Sequence, residues 1–166
     1  MRVLGVDPGT ATTGYGIVEG VGSDLKALAF GVVRTPASQP LPVRLQTIYR
    51  ELRALAAEWQ PAAASVEELF FSTNARTAMS VGHARGVTLL AMVDAGLEIA
   101  EYTPMEVKQA VTGYGSADKA QMQEMVRLLL RLREAPHPDD AADALAVAIC
   151  HLNSARLAAL THGSPG

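Results

Sequence analysis

Cysteine is almost absent from this chain: its 166 residues include one, Cys150. A single thiol closes no intrachain disulfide and builds no cysteine-based zinc cluster, so stability has to come from a hydrophobic core. Its setting, AVAIC, reads as a small core position and points to a reduced, intracellular compartment. Aromatics are scarce at 5%, and neither sign of charge dominates, the formal net charge being -3. That balance argues against a protein that coats nucleic acid nonspecifically, although cations bound to a cluster of acids would leave the rest of the surface more basic. No apolar run is expected to approach the ~20 residues of a membrane span, and MRVLGVD has no signal-like apolar region. A soluble, cytoplasmic protein is the expectation. No nucleophile elbow or matched histidine supports a serine or cysteine nucleophile.

What is present is a composition 49% apolar and 19% charged, enough for one compact α/β or α+β domain. That domain is expected over residues 1–158, with residues 159–166 as a flexible tail. The stretch VLGVDPGTATTGYGIV, residues 3 to 18, reads as a hairpin, and LKALAFGVVRT, residues 25 to 35, as a third strand. Leu45, Ile48, Leu52, Leu55 and Trp59 recur at helical spacing between Pro42 and Pro61. A strand in AAASVEELF, a helix over residues 74 to 95, a fifth strand in LEIAEY and two or three further helices up to about Arg156 complete the pattern. Three adjacent strands followed by alternating helices and strands predict a mixed sheet covered by helices.

Within that pattern the acids fall at informative places. Asp7 stands where the first strand breaks into Pro8-Gly9, as a turn residue or as a carboxylate held at the sheet's edge. Glu67 and Glu68 follow an apolar strand. Asp139, Asp140 and Asp143 open the last helix, where acids suit the helix dipole. Either Asp139 or Asp140 would share a helical face with Asp143. Acids from two strand ends and one helix would make an oxygen-rich cage suited to Mg²⁺ or Mn²⁺, and two such ions ~3.5–4 Å apart promote phosphodiester hydrolysis.

GVDPGTATTGYGIV, SVEELFF, NARTAMSVGHARG, VKQAVTGYGSADK and DDAADALAVAI, in this order, resemble the motifs of the RuvC Holliday-junction resolvases over nearly the whole chain. The resemblance implies an RNase H-like α/β fold with a mixed five-stranded sheet flanked by helices. It also implies a homodimeric endonuclease, dependent on two Mg²⁺ or Mn²⁺ ions, that makes paired nicks in four-way DNA junctions alongside the RuvA–RuvB branch-migration machinery. Carried over by motif, the metal ligands fall on Asp7, Glu67, Asp140 and Asp143, with Glu68 a neighbour rather than a ligand. Lys119 falls in a position to support transition-state charge, and Lys108 near the site. Phe70 matches an aromatic that lies against junction bases; Phe71, Asn74, Arg76, Lys108 and Lys119 complete the expected DNA contacts. The small residues of SVGHARG match the family's dimer region. His83 and His137 are read as nonligands, and Asp139 as the residue that starts or caps the last helix.

Overall fold

Alternating apolar residues at the start of the chain become three antiparallel strands in the computed structural model, which describes residues 1–68 and 75–162. They are β1 (Arg2–Asp7), β2 (Thr12–Val21) and β3 (Asp24–Arg34). Between β2 and β3, Gly22 takes a positive φ of 60°, the backbone that a two-residue hairpin demands and a side chain disfavours. Helix α1 (Leu41–Trp59) leads to β4 (Ala63–Glu67), α2 (Ala75–Asp94), β5 (Glu98–Tyr102), α3 (Pro104–Thr112), α4 (Lys119–Leu129) and α5 (Asp139–His162). The strands form one mixed sheet in the order β3-β2-β1-β4-β5, with β1, β4 and β5 mutually parallel.

Side chains alternate across a strand, so the sheet carries two cores. Leu4, Val6, Ile17 and Val33 meet Ile48 and Leu52 of α1 and Ala84, Ala91 and Met92 of α2. Full burial of each Val, Leu, Ile or Met among them contributes about 1.5–3 kcal/mol. On the opposite face Val3 and Val18 meet Val107 and Val111 of α3, Val126 of α4, and Leu145 and Ile149 of α5. Cys150 is buried there as a free thiol, as its sequence setting predicts.

Helix α5 lies unusually close to β1 and β2, because the strands are glycine where it passes. A Cβ on Gly14 would fall inside the Asp140 carbonyl, and one on Gly5 inside the Ala144 carbonyl. Ser65 of β4 adds a tether, its Oγ donating to the Val147 carbonyl at 3.1 Å. The backbone of α5 is thereby fixed against strands whose ends carry Asp7 and Glu67.

Three expectations change. Residues 139–161 do form a helix long and apolar enough to cross a membrane by length and composition. Its buried residues, Ala141 to Leu152 apart from Asp143 and His151, pack in the protein core, so it is the central helix of the fold. It also continues through residues 159–162 rather than ending near Arg156; residues 163–166 lie outside the described residues. Likewise β4 ends at Glu67, short of the AAASVEELF expectation. Phe70, Phe71 and Asn74, expected to contact DNA, lie outside the described residues as well.

Candidate active site

Asp7 ends β1 and Glu67 ends β4, two neighbouring parallel strands whose last paired residues are Val6 and Val66. One step beyond that pair, both carboxylates leave the sheet on its α5 side. Asp140 and Asp143 come from the first turns of α5. Lys119 is the first residue of α4, set by a reciprocal cap in which Asp118 accepts from the Gln121 N–H and the Gln121 side chain accepts from the Asp118 N–H. Lys108 projects from α3. Asp7, Glu67, Lys108, Lys119 and Asp143 share the wall of one open cavity of about 260 Å³.

The electrostatics are those of crowded like charges. Burial, then Asp143, Asp140 and Glu67, push the Asp7 carboxyl up to about 7, against the pull of Lys119. Glu67 is raised by burial and by Asp143, with Lys108 opposing. Asp143 is raised by burial and by Asp139 and Asp140, with Lys119 opposing. Such a cluster lowers its energy by taking a proton or a cation. Its donors are hard carboxylate oxygens, and Glu67 and Asp143 are exposed at the cavity, so the set fits Mg²⁺ or Mn²⁺. Among the described residues no three donors already converge on a point, and Asp140 stands outside the cavity wall.

Lys119 supplies the nearest positive charge. Its Nζ lies 2.9 Å from Asp139 Oδ2 and 3.9 Å from Asp143 Oδ2. Asp139 also accepts from Gln123 Nε2 at 2.8 Å, and these two donors hold its carboxyl below the usual carboxylate range. Asp139 begins α5, as expected, but the Pro138 carbonyl receives the first helical bond, from the Ala141 N–H at 2.9 Å. The Asp139 carboxylate is thus turned towards α4. Arg76 lies in the first turn of α2 and does not line the cavity.

Three features escape the sequence reading: the Asp139–Lys119–Gln123 contact, the close approach at Gly5 and Gly14, and Arg85 of α2, which donates to the Glu67 carbonyl. Glycines spaced by two in an apolar strand signal close backbone approach and could have revealed the second. The other two depend on helix placement, which local spacing does not encode.

A mixed sheet in this order, with acids at the ends of adjacent parallel strands and on the helix packed against them, defines an RNase H-like α/β protein with an oxygen-donor site. The family model described as crossover junction endodeoxyribonuclease RuvC matches residues 3–151. Proteins of that name from Syntrophomonas wolfei and Chloroflexus aggregans are 53% and 58% identical to the chain. These matches cover 99% and 93% of it, and 95% and 94% of the relatives. A Thermus thermophilus RuvC solved in complex with Holliday junction substrate superposes with a TM-score of 0.91 at 39% identity, covering 95% of this chain and 96% of that one. The chain belongs to the crossover junction endodeoxyribonuclease RuvC family.

Proposed function

We propose that this protein resolves four-way DNA junctions by paired, symmetric, metal-dependent nicks that leave 5′-phosphate and 3′-hydroxyl ends. The observation that carries this reading is the crowding of Asp7, Glu67 and Asp143 at one mouth, strong enough to raise the proton affinity of all three. Asp7, Glu67, Asp140 and Asp143 would hold one or two Mg²⁺ or Mn²⁺ ions, which supply charge neutralisation at the scissile phosphate and activation of the attacking water. The strand ends hold Asp7 and Glu67 in register, and the glycine contacts hold Asp140 and Asp143 opposite them. Lys119 presents its ammonium to a phosphate oxygen by exchanging Asp139 for the substrate, and Lys108 adds positive charge on the same wall. Arg76, with Phe70, Phe71 and Asn74, belongs to the proposed DNA-facing set, Phe70 by its match to the family's aromatic.

Two nicks related by symmetry call for two sites related by symmetry. Helix α2 offers a surface for a second copy: Met79, Leu90 and Val93 are 68%, 55% and 61% exposed. On the same side a Cβ at Gly82 or Gly86 would meet nothing within 4 Å. This face forms the homodimer contact in the proposed assembly, which works in the cytoplasm with the RuvA–RuvB machinery.

The test is a synthetic four-way junction incubated with and without Mg²⁺, with nicks mapped on every strand and matched RNA hairpins run alongside. Paired nicks at symmetric positions, in Mg²⁺ only, support the reading. Junction binding without nicking, or preferential cutting of the RNA, contradicts it.

A further inference from the structure

The carboxylate pair Asp7 and Glu67 is approached from two sides of the sheet. On the α5 side lies the cavity with Lys108 and Lys119. On the α2 side a second cleft of about 60 Å³ is bounded by Asp7, Pro8, Glu67, Glu68, Val81 and Arg85. Arg85 sits on the inward side of α2, next to buried Ala84, with its side chain 12% exposed. Its Nη1 donates to the Glu67 carbonyl at 2.5 Å, and its Nη2 pairs with the Glu101 carboxylate of β5. A planar guanidinium offers several donors in a fixed fork, so one contact orients the other.

Glu67 is the last residue of β4 and pairs with Tyr102 of β5, and the peptide that follows it is held on its N–H side, where Glu68 donates to the Tyr102 carbonyl at 2.7 Å. Arg85 holds the carbonyl of that same peptide from the opposite side, so both ends of the plane after Glu67 are fixed, and with them the direction in which the Glu67 side chain leaves the strand. We propose that Arg85 is a positioning residue for Glu67, locking the end of β4 between α2 and Glu101 so that the carboxylate faces the metal site. The proposal rests on the reading of Glu67 as a metal ligand. Partners of this outer kind change metal affinity by about 10–100-fold when removed.

The sign of the effect separates positioning from charge. Arg85 is a cation beside a cation site, so removing its charge alone should tighten metal binding. Loss of positioning should weaken it. The experiment is a Mn²⁺ titration of the DNA-free protein, followed by electron paramagnetic resonance of the unbound ion, with a thermal melt of every variant. Arg85→Met is expected to weaken Mn²⁺ binding by about tenfold or more at a temperature where the protein is folded. Arg85→Lys keeps the charge but loses the fork, and is expected to weaken binding at least about threefold; it carries the test if Arg85→Met melts below the assay temperature. Equal or tighter binding in both variants, with Glu67→Gln having lost Mn²⁺, overturns the role of Arg85 and leaves the metal site standing. Wild-type affinity in Glu67→Gln overturns the ligand assignment and the proposal together.

Discussion

On one face of the sheet Leu4, Val6, Ile17 and Val33 meet the aliphatic side chains of α1 and α2; on the other, Gly5, Gly14 and Gly16 meet the backbone and side chains of α5 directly. The first face is closed by volume, the second by proximity. Volume packing tolerates a lost methylene at a cost in stability while the backbone stays in place. Proximity packing at Gly5 and Gly14 has no slack, because the atom that would collide is a main-chain carbonyl oxygen of α5. The acids follow that division: Asp7, Glu67, Asp140 and Asp143 all belong to the face built by proximity. A site that needs carboxylates from two strands and a helix is thus positioned mainly by backbones held at fixed distance.

The largest effect is expected from the acids themselves. Asp7→Asn and Glu67→Gln should each lower Mg²⁺-dependent nicking by more than about 100-fold while junction binding changes little, because shape is kept and ligand charge is lost. Nicking rates beside gel-shift affinities decide it, and near wild-type cutting by either variant removes that residue from the site.

The contrast between faces is sharpened by a pair of substitutions. Leu52→Ala, on the α1 side, should cost about 2–5 kcal/mol of stability yet leave nicking per folded molecule nearly unchanged. Gly14→Ala should cost about 1–3 kcal/mol as α5 is pushed off β2. It should nevertheless lower nicking by about tenfold or more, since a misplacement near 1 Å is enough to impair such a site. Denaturant melts with nicking assays on the same preparations measure both, and equal activity losses on the two faces would erase the distinction.

Next in size is a pH effect in the metal-free protein. The Asp7 carboxyl ionises near 3.8 when unfolded, and burial beside like charges pushes it up to about 7 when folded. The folded state therefore binds its proton more tightly, and this contribution to stability, complete below pH 3.8, is lost as pH rises through 7. Asp7→Asn removes the dependence. Without metal it should melt about 5 °C or more above the wild type at pH 8, the gap narrowing towards pH 4. A gap that stays constant with pH would show that Asp7 is not the group responsible.

The smallest effects belong to the exposed lysine contact, with Asp140→Asn set beside it as a contrast of the size expected for the other acids. Lys119 and Asp139 are more than half exposed, so Asp139→Asn should change stability by less than about 1 kcal/mol and keep most nicking. Asp140→Asn should lose metal-dependent turnover. Lys119→Ala should slow cleavage and lower the salt slope of junction binding by about 1. The reverse ranking of Asp139→Asn and Asp140→Asn in cleavage rate would move the ligand assignment by one residue.

The elements were legible because their signals are local. Leu45 through Trp59 at helical spacing became α1, the alternation around Asp7 became β1 and β2, and Gly-Tyr-Gly-Ser before Lys119 led into α4. Of the acids that motif likeness singled out, the fold brings Asp7, Glu67 and Asp143 to one cavity wall and leaves Asp140 beside it. The pairing of Lys119 with Asp139 and the grip of Arg85 on the Glu67 carbonyl were not legible, because they join residues brought together only by the packing of α4 on α5 and of α2 on the sheet. The full length of α5 is not legible either, since the polar residues after Leu152 interrupt burial without interrupting the helix.

The most direct test of the metal site is anomalous diffraction from crystals soaked in Mn²⁺. An anomalous peak at the mouth between β1, β4 and α5, within coordination distance of Asp7, Glu67 and Asp143, is the expected result. Saturating Mn²⁺ with no peak there, or a peak elsewhere while the crystals still nick a soaked junction, would contradict the assignment of these carboxylates.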